Sequence, residues 1–172
     1  MISFSPLRLP GVVLLAATFV FGVASVGAGA GQRFAYPEVG LVHDGRTDLL
    51  WMRCAMGQSL RNGRCAGTAE RMSWTSARDG LENLRAGGCP WRLPEFHELR
   101  SLLDPEERDP AIDSEAFPDT PTGWFWTRTS AGGHSQHDCF VDFSGDGAIR
   151  CNMSGRLYVR PVVDPVYEEI CP

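Results

Sequence analysis

The sequence contains no lysine, and all sixteen of its basic residues are arginine. With 21 acidic residues, the formal net charge is −5 at pH 7. A general nucleic-acid-binding protein is expected to be basic, so this balance excludes that class of partner. The charges are unevenly placed, because residues 46–85 hold seven arginines and residues 95–119 hold nine acidic side chains. Such a split can steer an anionic ligand to one side, although a solvated surface is the simpler interpretation.

Long apolar runs are absent after the first thirty residues. Residues 1–30 have the layout of a secretory signal peptide: Arg8, then an apolar run over 12–26, then small residues up to Ala30. We expect cleavage after Ala30, which leaves 31–172 as a single secreted or periplasmic domain with no stable membrane span. An uncleaved anchor is the alternative, but the run is short and no charged stop follows it. No cysteine follows the run either, which excludes the usual lipoprotein anchor.

The sequence lacks the C-x-x-C spacing that a zinc site favours. Its six cysteines all follow residue 30, and an even number in an exported chain is typical of three disulfides. One pair brackets a short loop and a second pair faces across a predicted hairpin, which leaves two cysteines for a third bond. The predicted bonds are Cys54–Cys65, Cys139–Cys151 and Cys89–Cys171.

Familiar catalytic motifs are also missing, since there is neither a G-x-S-x-G nucleophile turn nor a phosphate-binding loop. Residues 142–147 start like a calcium loop, but the last ligand position holds Met153, so a hairpin turn explains them better. His134 and His137 could bind a metal, yet they lack a third partner in the sequence and fit a solvated loop tip. We therefore predict no metal and no cofactor.

Two helices are predicted from apolar residues that recur every three or four positions. The first begins at Trp74 behind the N-cap residue Ser73 and ends at Gly87-Gly88. The second has Pro94 as its first residue. It ends before Asp104-Pro105, because a residue that precedes proline avoids helical angles.

Strands are predicted where apolar and polar residues alternate. The predicted strands are Asp48–Met52, Trp124–Thr129, Cys139–Phe143, Gly147–Cys151 and Leu157–Pro161. The third and fourth form a hairpin with Val141 opposite Ile149, which gives an apolar inner face. The outer face would hold Phe140, Asp142, Arg150 and Asn152. Residues 31–47 and 105–122 are interpreted as loops, the second held by Ile112 and Phe117.

Several sequence pieces in a fixed order carry a family resemblance. They are Asp48-Leu-Leu-Trp51, Ser73-Trp74-x-x-Ala77, Trp91-Arg92-Leu93-Pro94-x-x-x-Glu98-Leu99, and Trp124-x-Trp126-Thr127 ahead of Val141-Asp142-Phe143-Ser144-x-x-Gly147. Over about residues 40–163 this order resembles the Lcl C-terminal domain family, named for the end domain of a bacterial collagen-like adhesin. The resemblance implies an α+β domain with a C-type-lectin-like fold: two helices packed on a small irregular antiparallel sheet, cross-linked by disulfides.

The resemblance implies a binding role more than a chemical one. The adhesin that names the family is associated with sulfated glycosaminoglycans. We therefore expect an exported non-catalytic module that recognises a glycan, an anionic or sulfated polysaccharide, or a surface protein in adhesion. One alternative is an enzyme related to the formylglycine-generating group, which would require a free cysteine; another is a secreted structural domain without a small ligand. The Glu-Pro-Asn and Trp-Asn-Asp motifs of C-type lectins are absent.

A binding face is predicted on the outer side of the hairpin and on the strands beside it. The planar fork of arginine can donate two parallel hydrogen bonds to sulfate or carboxylate, and a tryptophan ring offers a flat surface for a sugar. The structural alternative is that Asp142 and Arg150 only pair across the strands. Trp91 and Leu93 are expected to act through the fold. The predicted ligand-binding residues are Trp126, Arg128, Asp142, Arg150, Asn152 and Arg160.

Overall fold

The computed structural model describes residues 1, 32–84, 88–130, 138–151 and 155–164. The chain divides into two compact units, residues 1–30 and 31–172, and the fold described below belongs to the second unit. Several predictions fall outside the described residues: residues 2–30 of the signal peptide, His134, His137, Asn152, Met153 and Cys171.

The described part of the chain forms three small antiparallel sheets and two short helices. One sheet has the order β1-β2-β3-β9, the second is the β4-β5 hairpin, and the third has the order β6-β7-β8. The strands are β1 (Phe34–Ala35), β2 (Leu41–Asp44), β3 (Leu49–Met52), β4 (Gln58–Arg61), β5 (Arg64–Gly67), β6 (Trp124–Ser130), β7 (Asp138–Asp142), β8 (Ala148–Cys151) and β9 (Val162–Val163). The helices are α1 (Trp74–Glu82) and α2 (Phe96–Arg100).

This architecture contradicts the α+β, C-type-lectin-like expectation of two helices packed on one sheet. The helices have nine and five residues. At about 1.5 Å per residue they span only about 14 and 8 Å, so helix is a minor part of the described chain. The described chain is organised instead by the three sheets, and the helices are short insertions between them.

Helix α1 begins where it was predicted and ends early. The Ser73 hydroxyl accepts a hydrogen bond from a first-turn N–H at 3.2 Å, which makes Ser73 the N-cap. The helix ends at Glu82, ahead of Gly87-Gly88. Asn83 accounts for the early end, because its side-chain amide donates to the Asp79 carbonyl at 2.7 Å and so satisfies one of the last helical acceptors.

Helix α2 begins at Phe96 and not at Pro94. Two contacts explain the shift. The Pro94 carbonyl accepts the Arg128 N–H at 2.8 Å, which keeps Pro94 in an extended segment beside β6. The Glu98 carboxylate accepts the Glu95 N–H at 2.6 Å and thereby caps the helix one residue before it starts.

The register of the β7–β8 hairpin is confirmed, with Val141 opposite Ile149 and Cys139 opposite Cys151. The predicted division into apolar and polar faces is wrong, because Phe140 is fully buried and Ile149 is 41% exposed. β7 is the central strand of its sheet, and core clusters cover both faces, one around Val141 and the other around Phe140. β8 is an edge strand, so Ile149 is left at the border of the core.

Two other strand predictions need correction. Residues 31–47, interpreted as a loop, contain β1 and β2. The predicted last strand, 157–161, makes only isolated bridges, and β9 follows it. The long segment between α2 and β6 is anchored as predicted, since Ile112 and Phe117 are both fully buried.

Two of the predicted disulfides are present, Cys54–Cys65 and Cys139–Cys151, with Cα–Cα distances of 5.5 and 4.0 Å. The first ties the β4–β5 hairpin to the end of β3, and the second links β7 to β8. Cys89 is also disulfide-bonded. Its predicted partner, Cys171, lies outside the described residues.

Candidate functional site

The Trp-Arg-Leu-Pro motif forms part of the core. Trp91 and Leu93 are buried. Arg92 lies between them and donates to both Glu98 carboxylate oxygens, at 2.8 and 2.9 Å, and to Asp164 at 3.0 Å. Burial alone would lower the pKa of Arg92, but these hydrogen bonds outweigh burial and raise the pKa. The motif therefore joins α2 to the segment that follows β9.

Arg160, one of the predicted binding residues, also lies in the core and is fully buried. It donates to the carbonyls of Met52 and Arg53 at 3.1 and 2.6 Å and to the Thr120 hydroxyl at 2.6 Å. Its guanidinium carbon lies 4.7 Å from the centre of the Phe117 ring. Burial lowers the pKa of Arg160 to about 9. Because no part of the residue reaches solvent, Arg160, predicted to bind a ligand, is not accessible to one at the surface of this fold.

Trp126 and Arg128 are both occupied by contacts within the fold. Trp126 is 2% exposed, and its indole N–H donates to the Met72 carbonyl at 2.7 Å. The guanidinium of Arg128 is exposed but forms an ion pair with Glu95. A sugar ring therefore has no access to Trp126, and the charge of Arg128 is already compensated.

Arg150 is exposed and lies over the Trp124 ring, with its guanidinium carbon 5.7 Å from the ring centre. The expected cross-strand pair with Asp142 is not formed, because Asp142 lies opposite Ala148 and its carboxylate accepts the Ser144 N–H at 2.8 Å. Trp126, Asp142 and Arg150 share one face of the β6–β7–β8 sheet through this register. The structure does not bring all the predicted residues into one site.

A group of exposed arginines that the sequence did not reveal lies around Tyr158. The Arg71 guanidinium carbon stands 4.7 Å from the centre of the Tyr158 ring. The Arg156 side chain donates to the Arg71 carbonyl at 3.0 Å. Within the described ranges, no carboxylate lies within 4.0 Å of either arginine. We refer to Arg71, Arg156 and Tyr158 as the arginine–tyrosine cluster.

Backbone pairing positions this cluster. Met72 and Leu157 exchange hydrogen bonds of 2.9 and 3.0 Å, which places their neighbours Arg71 and Tyr158 side by side. Gly123 borders both, since a Cβ there would stand 3.4 Å from the Tyr158 ring and 3.7 Å from the Arg71 guanidinium. The contact joins residues far apart in the chain, so no local spacing could have indicated it.

The arginine–tyrosine cluster and the Arg150–Trp124 pair lie on opposite faces of the same sheet. Tyr158 packs on Phe125 with ring centres 5.3 Å apart, and Trp124 packs on Phe140 at 5.1 Å. Trp124 and Phe125 are consecutive in β6, so their side chains point to opposite faces. Both arginine groups therefore sit near the beginning of β6.

An apolar cleft of about 420 Å³ lies elsewhere, between the 38–41 segment and β4. Its lining includes Val39, which is 91% exposed, together with Met52, Met56 and Leu60. Among the described residues that line it, Glu38 is the one charged residue. The cleft is therefore unsuited to an anionic ligand.

The described residues contain no group of three His, Cys, Asp or Glu side chains that could hold a metal ion. The calcium-like segment 142–147 is a turn between strands, closed by the Gly147 N–H on the Ser144 carbonyl at 3.0 Å. Among the helices that the structure describes, none is long and apolar enough to cross a membrane.

Comparison with known proteins identifies the domain. The family description that matches is "Lcl C-terminal domain", over residues 40–163. No curated protein and no solved structure matches the chain. The matched range runs from Gly40, the residue before β2, to the end of β9 and contains both arginine groups. Since it covers most of the sequence, the chain belongs to the Lcl C-terminal domain family.

Proposed function

We propose that this chain is an exported, non-catalytic binding module that recognises an anionic polysaccharide in adhesion. The observation that carries the proposal is the arginine–tyrosine cluster, in which two exposed arginines without acidic partners in the described chain lie beside one aromatic ring. Membership of an adhesin-related family supports the adhesive role. The two described disulfides support export, because such bonds persist in oxidising compartments.

The geometry of the cluster suits a sulfate or carboxylate group. A guanidinium that stacks on a ring keeps the N–H donors at its edge free for an anion. The stacking also restricts the Arg71 side chain before a ligand arrives, which reduces the entropy lost on binding. Arg156 adds a second fork close by, because it is held on the Arg71 carbonyl.

The charge balance points to the same place. The chain is acidic overall, so a polyanion is repelled by most of the molecule and is expected to bind where arginines are uncompensated. Many described arginines are already neutralised by ion pairs: Arg33, Arg64, Arg78, Arg92, Arg108 and Arg128. The exposed arginines without a described acidic partner are Arg46, Arg61, Arg71, Arg100, Arg150 and Arg156. Among these, Arg71 and Arg156 are held together by a hydrogen bond and lie beside an aromatic ring.

The cysteines support the non-catalytic part of the proposal. Chemistry of the formylglycine-generating type requires a free cysteine. Each of the five described cysteines is disulfide-bonded. Thiol titration of the native, non-reduced protein tests this directly, and we expect no reactive thiol.

The proposal is tested with an array of neutral, carboxylated and sulfated glycans, followed by affinity measurements on the best binder. We expect the double variant Arg71→Ala/Arg156→Ala to bind at least about tenfold more weakly, because each lost charge-assisted hydrogen bond contributes about 1 kcal/mol or more. The matched control is Arg61→Ala/Arg100→Ala, which removes the same charge from two other exposed positions. Equal losses in the two double variants would show a nonspecific charge effect and contradict the proposed site.

Salt provides a second test of the same site. Contacts between exposed charges are screened when the Debye length shortens, to about 8 Å at 0.15 M ionic strength. We therefore expect the affinity to fall steeply between about 0.05 and 0.3 M NaCl. The salt dependence of the Arg71→Ala/Arg156→Ala variant should be shallower. An affinity that salt does not change would contradict recognition by arginine.

A further inference from the structure

β8 is an edge strand with exposed side chains. β7 is its neighbour on one side, and its other edge is unpaired in the described chain. All four of its residues are exposed, including the apolar Ile149 at 41%. Proteins usually protect such an edge by keeping it short, or with proline, a bulge or several charges. β8 is short, with four residues, but it has no proline and one charge, Arg150, so within the described chain its edge is open to another strand.

The sheet register shows which backbone groups face this edge. Phe143 directly follows β7, and its N–H donates to the Gly123 carbonyl at 3.1 Å. Counting back in steps of two, Val141 and Cys139 also direct their backbone N–H and C=O groups toward β6. Asp142 and Phe140 direct theirs toward β8, where they lie opposite Ala148 and Arg150. In an antiparallel ladder the bonding direction alternates along the strand. Ile149 therefore turns its N–H and C=O toward the free edge.

We infer that β8 is an interaction surface for a second copy of this chain, which adds its own β8 antiparallel to the first. Two-fold symmetry centred on Ile149 allows Ile149 of each copy to exchange both backbone hydrogen bonds. The two isoleucine side chains then cover each other. This satisfies the open backbone groups and removes the exposed apolar side chain from water in one step.

Charge selects this register from its neighbours. With the axis at Ile149, Arg150 of one copy lies opposite Ala148 of the other, and no like charges face each other. The next allowed centre lies at Arg150 and would place two guanidiniums directly opposite, which is unfavourable. The centre on the other side, at Ala148, would place Ile149 and Arg150 opposite Gly147 and Asp146, which precede β8 and are not in a strand. The centre at Ile149 is therefore preferred to both neighbours. The contact is short, so the dimer is expected to be weak and concentration-dependent.

Pairing in this register would join two three-stranded sheets into one continuous sheet of six strands. The axis runs perpendicular to the sheet, so the arginine–tyrosine clusters of both copies lie on one face and the Arg150–Trp124 pairs of both copies lie on the other. One consequence rests on the proposed function. If that function holds, one polyanion could contact both copies at once and would bind the dimer more tightly than a single copy.

Sedimentation equilibrium of the purified protein tests the inference with no polysaccharide present, so its failure is separate from failure of the proposed function. We expect a reversible monomer–dimer equilibrium. Ile149→Asp places two carboxylates opposite each other and should abolish the dimer. The control Val39→Asp changes another exposed apolar residue outside β8 and should leave the dimer unchanged. A monomer at every concentration, or a dimer that Ile149→Asp does not weaken, would overturn the inference.

A covalent trap tests the register independently of any loss of folding. Oxidised Ile149→Cys should form a dimer whose peptide map links position 149 to position 149, whereas Val39→Cys should not. Arg150→Ala should leave the dimer intact, because Arg150 faces Ala148. A much tighter dimer in Arg150→Ala would instead indicate opposed arginines, and so would contradict the register centred on Ile149.

Discussion

Arg160 and Arg71 carry the same side chain in different surroundings. The guanidinium of Arg160 is enclosed by backbone carbonyls, a threonine hydroxyl and phenylalanine rings. That of Arg71 is exposed and touches one ring face. The N–H groups of Arg160 donate to backbone carbonyls and a hydroxyl, which holds separate segments of the chain together. The N–H groups of Arg71 remain available to a ligand. We therefore expect a substitution of Arg160 to reduce stability and a substitution of Arg71 to reduce ligand binding.

Arg160→Ala is expected to lower the free energy of unfolding by about 3–5 kcal/mol, because it opens a cavity and leaves buried carbonyls without a donor. Arg71→Ala should change stability by no more than about 0.5 kcal/mol. Urea unfolding measures both. Equal effects of the two substitutions would contradict the assignment of Arg160 to the core and Arg71 to the surface.

At this scale the sequence identified residue types suited to an anion but not their exposure. Trp126 and Arg150 occupy strand positions that lie on one face of the sheet, whereas Arg128 lies where the register of β6 with β7 shifts. What covers that face is decided by distant segments: Met72 approaches Trp126, and Glu95 approaches Arg128. Exposure is a tertiary property, so the spacing could not provide it.

At the scale of elements, acidic side chains connect segments that are separate in sequence. Asp164 binds Arg92, and the hydrogen bond from Arg92 lowers the pKa of Asp164. Asp44 is buried in β2; burial alone would raise its pKa, but hydrogen bonds from Arg33 and from the Arg46 N–H outweigh burial and lower it. Both carboxylates therefore favour the folded state when they are ionised.

This linkage predicts acid sensitivity. A carboxylate with a lowered folded-state pKa contributes stability above its unfolded value, near about 4, and that stability is lost as pH falls through the folded-state value. We expect the urea concentration at half-unfolding to be constant above about pH 5 and to decrease as the pH is lowered below about 4. In the Arg92→Gln variant, the decrease of the urea midpoint at low pH should be smaller, because Asp164 loses the hydrogen bond that lowers its pKa. A midpoint independent of pH down to about pH 2 would contradict this account.

The elements themselves were predicted unevenly, for physical reasons. The hairpin register and the start of α1 depend on a turn and a cap, which are local interactions. The start of α2 depends on Arg128, more than thirty residues away, and the exposure of Ile149 depends on β8 being an edge strand. Local chemistry therefore located these elements but did not give their limits or their surroundings.

At the scale of the whole molecule, the fold class was missed because the pairing that defines it is long-range. β3 lies between β2, its neighbour in sequence, and β9, near the end of the described chain. The sequence shows apolar pieces at both places but contains no signal that they pair. Resemblance to a family gave the range of the family match, residues 40–163, whereas the arrangement into three small sheets became visible only in the structure.

The pairing of β3 with β9 also has a consequence for the order in which the domain can form. Trp51 lies opposite Val162, and the Met52 N–H donates to the Pro161 carbonyl at 3.1 Å. A chain that emerges from the ribosome with its N-terminal end first presents β3 long before β9 arrives. Until then one edge of β3 has no partner, and such an edge is prone to wrong pairing. Completion of the first sheet must therefore wait until β9 has emerged, after most of the domain has been synthesised.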